Sequence, residues 1–428
     1  MRDALSGAPW LAAMARVFDR AGEALYIVGG AVRNPLMGLP LSDVDVCGPA
    51  RPQAVLALCE GTPMRAVLRA AHFGTVELHV TDADGARHMA EYTTFREDSY
   101  RCGHRPDQVR FATEIGVDAL RRDFSVNALY RRVHEAALGP VIDPAGGLEH
   151  LAAGVLHTVT PEPDRVLRDD GLRILRAARF QAELDLEPTP ALIQSLARHA
   201  ALLGDIARER LRDELQKILL ADLRYPMLRR RRPATRSGLE TLCAIGAWDG
   251  LLDGAPYDAA AADALAALSW EEAPLAGRLA LLLRGCAPER VQRLLLNLRF
   301  ANRDAALAGR YAAAVRMLSA DGTDGFAAVK LGRSAVRYAG AAFRALEDAA
   351  GACRTRALLD RLAGAPWSLA ELRLSGHELL PLFRQRGVAA ARMGAVLESL
   401  WRGAVAGTIP NDPDALLAAA AALLEQYH

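Results

Sequence analysis

The sequence predicts an α+β chain, with a small mixed-sheet head followed by a long all-helical remainder. Strand-like segments rich in β-branched and aromatic residues are confined to residues 24–143. Beyond about residue 160 nearly every segment follows a 3.6-residue period. No apolar run approaches the roughly 18 residues that a membrane span requires. A chain of 428 residues, 51% of them apolar, can bury large cores in roughly two to four domains.

The head opens with ALYIV (24–28), which runs into Gly29-Gly30, and continues with SDVDVC (42–47), GTVELHV (74–80) and RHMAEYTTF (87–95). Gly, Pro and Asp breaks separate these strands, with helices between and beside them. After Pro144 and Gly146-Gly147 the strand signals fade. ILRAARFQAEL (174–184), ERLRDELQKILL (209–220), ARMGAVLESLWRGAV (391–405) and DALLAAAAALLEQ (414–426) then carry the helical pattern. Breaks at Pro161–Pro163, at the Arg229–Arg232 run before Pro233 and at Gly364–Pro366 suggest hinges, the basic run reading as a solvated loop. The expected organisation is a head at 1–148, a neck at 149–225, a body at 226–365 and a tail at 366–428.

Lys+Arg of 52 against Asp+Glu of 51 argues against a globally basic nucleic-acid binder, so any such surface must be local. Only Lys217 and Lys330 are lysine, and with the abundant alanine this bias reads as codon composition. Cys47, Cys59, Cys102, Cys243, Cys286 and Cys353 form no C-x-x-C pair, so neither a zinc site nor a disulfide framework is suggested. Asp3 and the short apolar content of the N-terminus do not resemble a signal peptide, and a cytoplasmic location is expected.

Chemistry concentrates in IVGGAVRNPLMGLPLSDVDV (27–46). Asp43 and Asp45 stand two apart in a strand-like segment, so both carboxylates are expected on one face. They lie beside a turn whose glycines let backbone approach a ligand. Two such carboxylates repel unless they share a proton or a divalent cation, and hard oxygen ligands favour Mg²⁺. Glu91, in HMAEYTTF, is the candidate third carboxylate, although a solvent-facing strand glutamate reads the same way. Gly29, Gly30 and the helix beginning near Ala31 would offer amides to a triphosphate, and Arg33 a charge-assisted contact.

In order, the Gly-Gly turn, the arginine and the Asp-x-Asp strand resemble the signature of the polymerase-β nucleotidyltransferase superfamily. ALRRDFSVNALY (119–130) is similar to the second motif, RRDFTINAL, of class II tRNA nucleotidyltransferases, the CCA-adding enzymes with their bacterial poly(A) polymerase relatives. The resemblance implies a metal-dependent enzyme with two Mg²⁺ ions on Asp43 and Asp45. It implies that Arg121 and Arg122 approach the triphosphate, Asn127 the ribose, and that Asp123 belongs to the same site. Asp143 with Gly146-Gly147 resembles the third motif, joining head to neck. LRDDGLRILRAARF (167–180) resembles the fourth, whose amino-acid template would be Asp170 with Arg173, with Arg176 and Arg179 further along. Asp170 and Arg173, three apart, are expected to share a helix face. The family usually has Glu-Asp where this chain has Asp169-Asp170. ARERLRDELQKILL (207–220) resembles the fifth motif, with Glu209 and Arg210 bracing the neck.

Cytosine and adenine each present an exocyclic amine beside a ring-nitrogen acceptor, which a carboxylate and a guanidinium can read together. Uracil and guanine reverse both groups. The resemblance therefore implies CTP and ATP as substrates and tRNA, held by its acceptor and T arms, as partner, with no DNA and no membrane. REDSYRCGHRPDQVRF (96–111) resembles the loop needed to switch from CTP to ATP, and residues 374–412 resemble the tRNA-gripping tail. After residue 200 only His377 and His428 are histidine, so the metal phosphohydrolase domain fused to some members is not expected. Other readings are a poly(A) polymerase, a CC- or A-only enzyme, an RNA-binding module with an inactive head, and nucleotide transfer to a small molecule, which leaves the long tail unexplained.

Overall fold

The computed structural model describes residues 8–41, 43–82, 85–100, 106–135 and 137–426. It contains two compact units, Met1–Gly254 and Ala255–His428. The first holds a seven-stranded mixed sheet and the second is helical, so the α+β class holds.

Strands β1 (Leu25–Val28), β2 (Asp45–Gly48), β3 (Met64–Ala70), β4 (Thr75–Thr81) and β5 (Arg87–Thr94) form most of that sheet. A separate hairpin, β6 (Arg96–Ser99) and β7 (Gln108–Phe111), follows, and β8 (Tyr130–Val133) and β9 (Leu138–Ile142) complete it. The order is β3-β4-β5-β2-β1-β8-β9, antiparallel except for the parallel pair β2–β5. Helix α1 (Pro9–Arg20) buries Leu11, Met14, Ala15 and Phe18, a stripe at helical spacing. With α2 (Gly30–Leu36) and α3 (Pro52–Cys59) it packs on Ile27, Val46, Val76, Leu78 and Tyr92 of one sheet face. The opposite face of the central strands packs Val28, Cys47 and Tyr130 with Phe95, Val159 and Val166.

Register places the site. Asp45 begins β2 and pairs with Val28, the last residue of β1 before the Gly29 turn, and with Glu91 of β5. Val28 pairs on its other side with Tyr130, and the Gly29 amide donates to the Leu129 carbonyl at 3.1 Å. The Gly-Gly turn is thereby wedged between Asp45 and the segment ending in Asn127. The second motif is not one helix: α4 (Ile115–Leu120) stops before Arg121, a 3₁₀ turn covers Ser125–Asn127, and Tyr130 already belongs to β8.

Helix α5 (Gly147–Ala153) starts where the Asp143 carboxylate accepts from the amides of Gly147 at 2.8 Å and Leu148 at 2.9 Å. Then come α6 (Pro163–Asp169), α7 (Leu172–Leu184), α8 (Pro190–His199) and α9 (Arg208–Leu219). Helix α7 is buried almost all round, and at Gly238 of the helix Ala234–Ala244 a Cβ would stand 2.8 Å from its Ala178 carbonyl. The basic run is an irregular connection in which Arg229, Arg231 and Arg232 are exposed, as expected, while Arg230 is half-buried. Arg230 donates to the Ala182 carbonyl and, at 3.0 Å, to that of Glu183, capping α7; Arg231 and Arg232 pair with Asp185 at 3.5 Å and Glu240 at 3.0 Å.

The second unit is built around the stacked rings of Tyr311 and Tyr338, 4.4 Å apart, with the Tyr338 hydroxyl donating to the Gly277 carbonyl at 2.7 Å. Fully buried Arg278 donates to the carbonyls of Leu265 at 3.2 Å and Leu268 at 2.6 Å. Helices Met393–Ala406 and Pro413–Glu425 realise the two C-terminal periodic segments. Among the described residues no helix is long and apolar enough to cross a membrane.

A Cβ at Gly147 would lie 2.3 Å from the Ser125 carbonyl oxygen, backbone against backbone. Gly147→Ala should therefore cost about 1–3 kcal/mol in urea denaturation. At exposed Gly116 of α4 a Cβ meets nothing within 4 Å, so Gly116→Ala should be neutral or stabilising by up to ~1 kcal/mol.

Candidate active site

A cleft of about 410 Å³ in the first unit is lined by Gly29, Gly30, Arg33, Asp45, Arg121, Arg122, Asp123, Asn127, Asp170, Leu172, Arg173, Arg176, Arg179, Phe180 and Arg210. Twelve sequence-predicted site residues thus meet in one cavity, while Asp43 and Glu91 are not part of its lining. Seven arginines against three aspartates suit the cleft to a polyanion.

The cations are held by acceptors behind them. Asp118, fully buried on α4, accepts from Arg121 at 2.7 Å, from Arg122 at 3.0 Å and from the Tyr130 hydroxyl at 2.8 Å. Burial alone would raise this carboxyl, but Arg121 and Arg122 outweigh it and hold it below the usual range. Asp123 accepts from Arg176 at 2.7 Å and from Asn127 at 3.1 Å, and Arg176 with Arg173 likewise overcomes burial and depresses its pKa. Arg33 donates to the side-chain oxygens of Asn34, at 2.8 Å, and Asn127; burial, chiefly, lowers it to about 10. Arg179 donates to Glu214 at 2.6 Å and Glu183 at 3.0 Å. Burial would lift Glu214, against which Arg179, Arg176 and Lys217 hold it down. The ring of Phe180 lies 4.2 Å from Arg179, 5.3 Å from Arg176 and 5.4 Å from Arg33.

The fourth motif departs from expectation. Asp170 and Arg173 do not share a helix, because Asp170 is extended, at φ −148° and ψ 108°, between α6 and α7. Its carboxylate accepts from the Leu172 amide at 3.0 Å and from Arg210 at 2.7 Å, so its ion-pair partner comes from the fifth motif. Arg173 donates to the carbonyls of Val166 at 2.9 Å and Arg121 at 2.5 Å, and stands 3.9 Å from Asp169. Both still face the same cleft.

Asp43 also departs, lying in the segment before β2 rather than within the strand. Asp45 keeps a solvent-exposed edge, yet its pKa is raised, first by desolvation and further by Asp43, with Arg122 and Arg176 opposing. Glu91, its exposed cross-strand neighbour, is also raised, by desolvation and then by Asp45 and Glu77. Among the described residues no group of three or more His, Cys, Asp or Glu side chains is gathered that could hold a metal. Asp43 and Asp45 nevertheless fit a divalent cation: they are close enough for their charges to interact, they offer hard oxygen ligands, and the adjoining cleft suits phosphate as a further ligand.

Sequence reasoning missed Asp118 and Phe180. The signal for Asp118 was present, since Arg121 and Arg122 follow at i+3 and i+4. Nothing local marked Phe180 as more than core.

Asp118→Asn removes the charge shared by two arginines and should cost about 3–5 kcal/mol in chemical denaturation. Because Asp118, Asp123 and Glu214 are depressed in the fold, their stabilisation is complete above the unfolded carboxylate values of about 4. It is lost as pH falls through the folded values. Thermal midpoints should therefore begin to drop below about pH 5 and keep dropping below about pH 3, less steeply for Asp118→Asn.

Residues 25–157 match the poly A polymerase head domain family, and residues 185–230 the probable RNA and SrmB-binding site of polymerase A. The chain is 36% identical over 199 residues to the CCA-adding enzyme of Geobacillus stearothermophilus, covering 46% of each chain. It is 38% identical over 203 residues to that of Lactiplantibacillus plantarum, covering 47% of this chain and 46% of the relative. These alignments span about half the length of the curated relatives. The fold superposes on the CCA-adding enzyme of Bacillus stearothermophilus, solved in complex with CTP, with a TM-score of 0.76, 25% identity and 98% of each chain covered. The Thermotoga maritima CCA-adding enzyme, solved with tRNA, shares the fold at a TM-score of 0.65 and 19% identity, with 96% of this chain and 94% of that chain covered. Over its head and neck the chain is thus similar to the tRNA nucleotidyltransferase and poly(A) polymerase family.

Proposed function

We propose that the protein is a cytoplasmic CTP(ATP):tRNA nucleotidyltransferase that adds or repairs the 3′-terminal CCA. The observation that carries this reading is the single cleft in which a carboxylate strand end, seven arginines and the Asp170–Arg173 set converge. CCA-adding relatives solved with CTP, with ATP and with tRNA support it. Residues 1–148 would carry the transfer chemistry and 149–225 the base reading. The body, 226–365, and the tail, 366–428, would hold the RNA by shape and phosphate contacts.

Asp43 and Asp45, with Glu91 beside them, would hold two Mg²⁺. Such ions lower the pKa of an attacking hydroxyl and steady a departing pyrophosphate. Arg121 and Arg122, fixed by Asp118, would bind the triphosphate, with Gly29 and Gly30 permitting close backbone approach. Arg33 is engaged by Asn34 and Asn127, so it would orient Asn127 toward the ribose and keep its remaining N–H donors for phosphate. Asp123 would aim Arg176.

Base choice follows from the donors and acceptors left over. Arg173 spends two of its five N–H donors on backbone carbonyls and keeps the others for a ring nitrogen. Asp170 is held by Leu172 and Arg210 and retains lone pairs for an exocyclic amine. Uracil or guanine would leave these groups unpaired, at about 1–3 kcal/mol each. The loop proposed to switch between CTP and ATP includes residues 101–105, which lie outside the described residues.

The test uses tRNA transcripts ending before CCA, after C and after CC, each with labelled CTP, ATP or UTP. Ordered addition of C, C and A is expected, and indefinite extension with ATP would replace this reading by a poly(A) polymerase. Asp45→Ala should abolish incorporation while leaving tRNA binding largely intact, which excludes an RNA-binding module with an inactive head. Asp170→Ala should relax exclusion of UTP by roughly ten- to a hundredfold, the equivalent of that pairing energy. Unchanged UTP exclusion would sink the template role.

A further inference from the structure

We propose that Phe180 is the positioning residue of the cleft, its ring holding the guanidiniums of Arg33, Arg176 and Arg179 as one fixed fan for the phosphates of the nucleotide. The proposal rests on the nucleotidyltransferase reading and assigns a role that reading leaves open.

Three cations lie within 5.4 Å of this one ring, Arg179 closest at 4.2 Å. They come from two elements, Arg33 from α2 and the other two from α7. Phe180 is only 4% exposed, yet it lines the cleft together with all three arginines. The ring is itself oriented by Phe124, edge to face at 5.6 Å and 79°.

Each guanidinium is thus held by a hydrogen-bond acceptor and also lies against the same ring. The acceptors are Asn34 with Asn127 for Arg33, Asp123 for Arg176, and Glu214 with Glu183 for Arg179. Buried like charges this close repel, and Arg179 does depress Arg33. An aliphatic side chain of similar bulk would fill the space without offsetting that repulsion. The negative face of an aromatic ring offsets it and also fixes the spacing between the two elements. A guanidinium released from the ring would have other rotamers open to it, and a triphosphate would then have to order it on binding.

Separating electrostatics from packing requires a change in the ring's charge at constant shape. The full-length chain is prepared with 4-fluoro-, 3,5-difluoro- and 3,4,5-trifluorophenylalanine at position 180, and the affinities for CTP and for inorganic triphosphate are measured by calorimetry. Both dissociation constants should rise with each fluorine, reaching about three- to tenfold across the series. Phe180→Leu should weaken binding at least as much as the trifluoro ring. A flat fluorine series, or a Leu variant binding as tightly as the unsubstituted protein, overturns the proposal. CMP and AMP incorporation by the unsubstituted protein reports on the underlying reading, so a flat series in an active enzyme removes only the role of Phe180. Failure of the unsubstituted protein to bind either probe removes both.

Discussion

Seven guanidiniums drawn into one cleft repel each other, and much of the first unit is arranged to contain that repulsion. No single anion balances them. Asp118 serves Arg121 and Arg122, Asp123 serves Arg176, Glu214 and Glu183 serve Arg179, and Asp170 serves Arg210. Arg173 is held by two backbone carbonyls and Arg33 by two amide side chains. Each anchor takes only part of a guanidinium's five donors, so the cleft keeps donor capacity while every cation has a fixed direction. Such a site is organised before any anion arrives, and less ordering remains to be done on binding.

The sheet gives this arrangement a rigid back wall. Asp45 stands beside the glycine turn because β2 pairs with β1 in a register that sets Asp45 against Val28. The same β1 residue meets Tyr130, whose hydroxyl belongs to the Asp118 cluster. One short strand therefore ties the carboxylate end to the arginines of the second motif. A slip of one residue would turn every side chain of β2 to the other face, so the apolar packing of Val46 on one side and Cys47 on the other also fixes the chemistry.

The sequence was most legible where composition and period carry the signal. The strands around residues 25, 45, 75 and 90 and the helices of the neck and C-terminus were visible as local patterns. Strands β3, β8 and β9 were not, because MRAVLRA, YRRV and LGPVI are short and mixed and become strands through their partners. The break at Asp170 was hidden in the same way. RDDGLRIL scans as continuous helix, and only the Asx contact to Leu172 together with Arg210 stabilises the extended residue. The basic run at 229–232 is solvated as its composition suggests, but the capping role of Arg230 was hidden because its acceptors, the last carbonyls of α7, carry no sequence signature. The motif residues themselves were legible as a set, but their division into anchors and free donors required the fold.

That break changes how the proposed base reading would be built. An aspartate in mid-helix would sweep through its rotamers with only the helix surface to restrain it. An extended residue between two helices can be held from both ends, one oxygen by the backbone amide that starts α7 and the other by an arginine of α9. The carboxylate plane is then fixed, which discrimination between an amine and a carbonyl would require. Arg210, whose neighbours in sequence suggest only a charged amphipathic helix, would thereby become part of the proposed reading apparatus. The pairing also neutralises a carboxylate that would otherwise repel an incoming triphosphate.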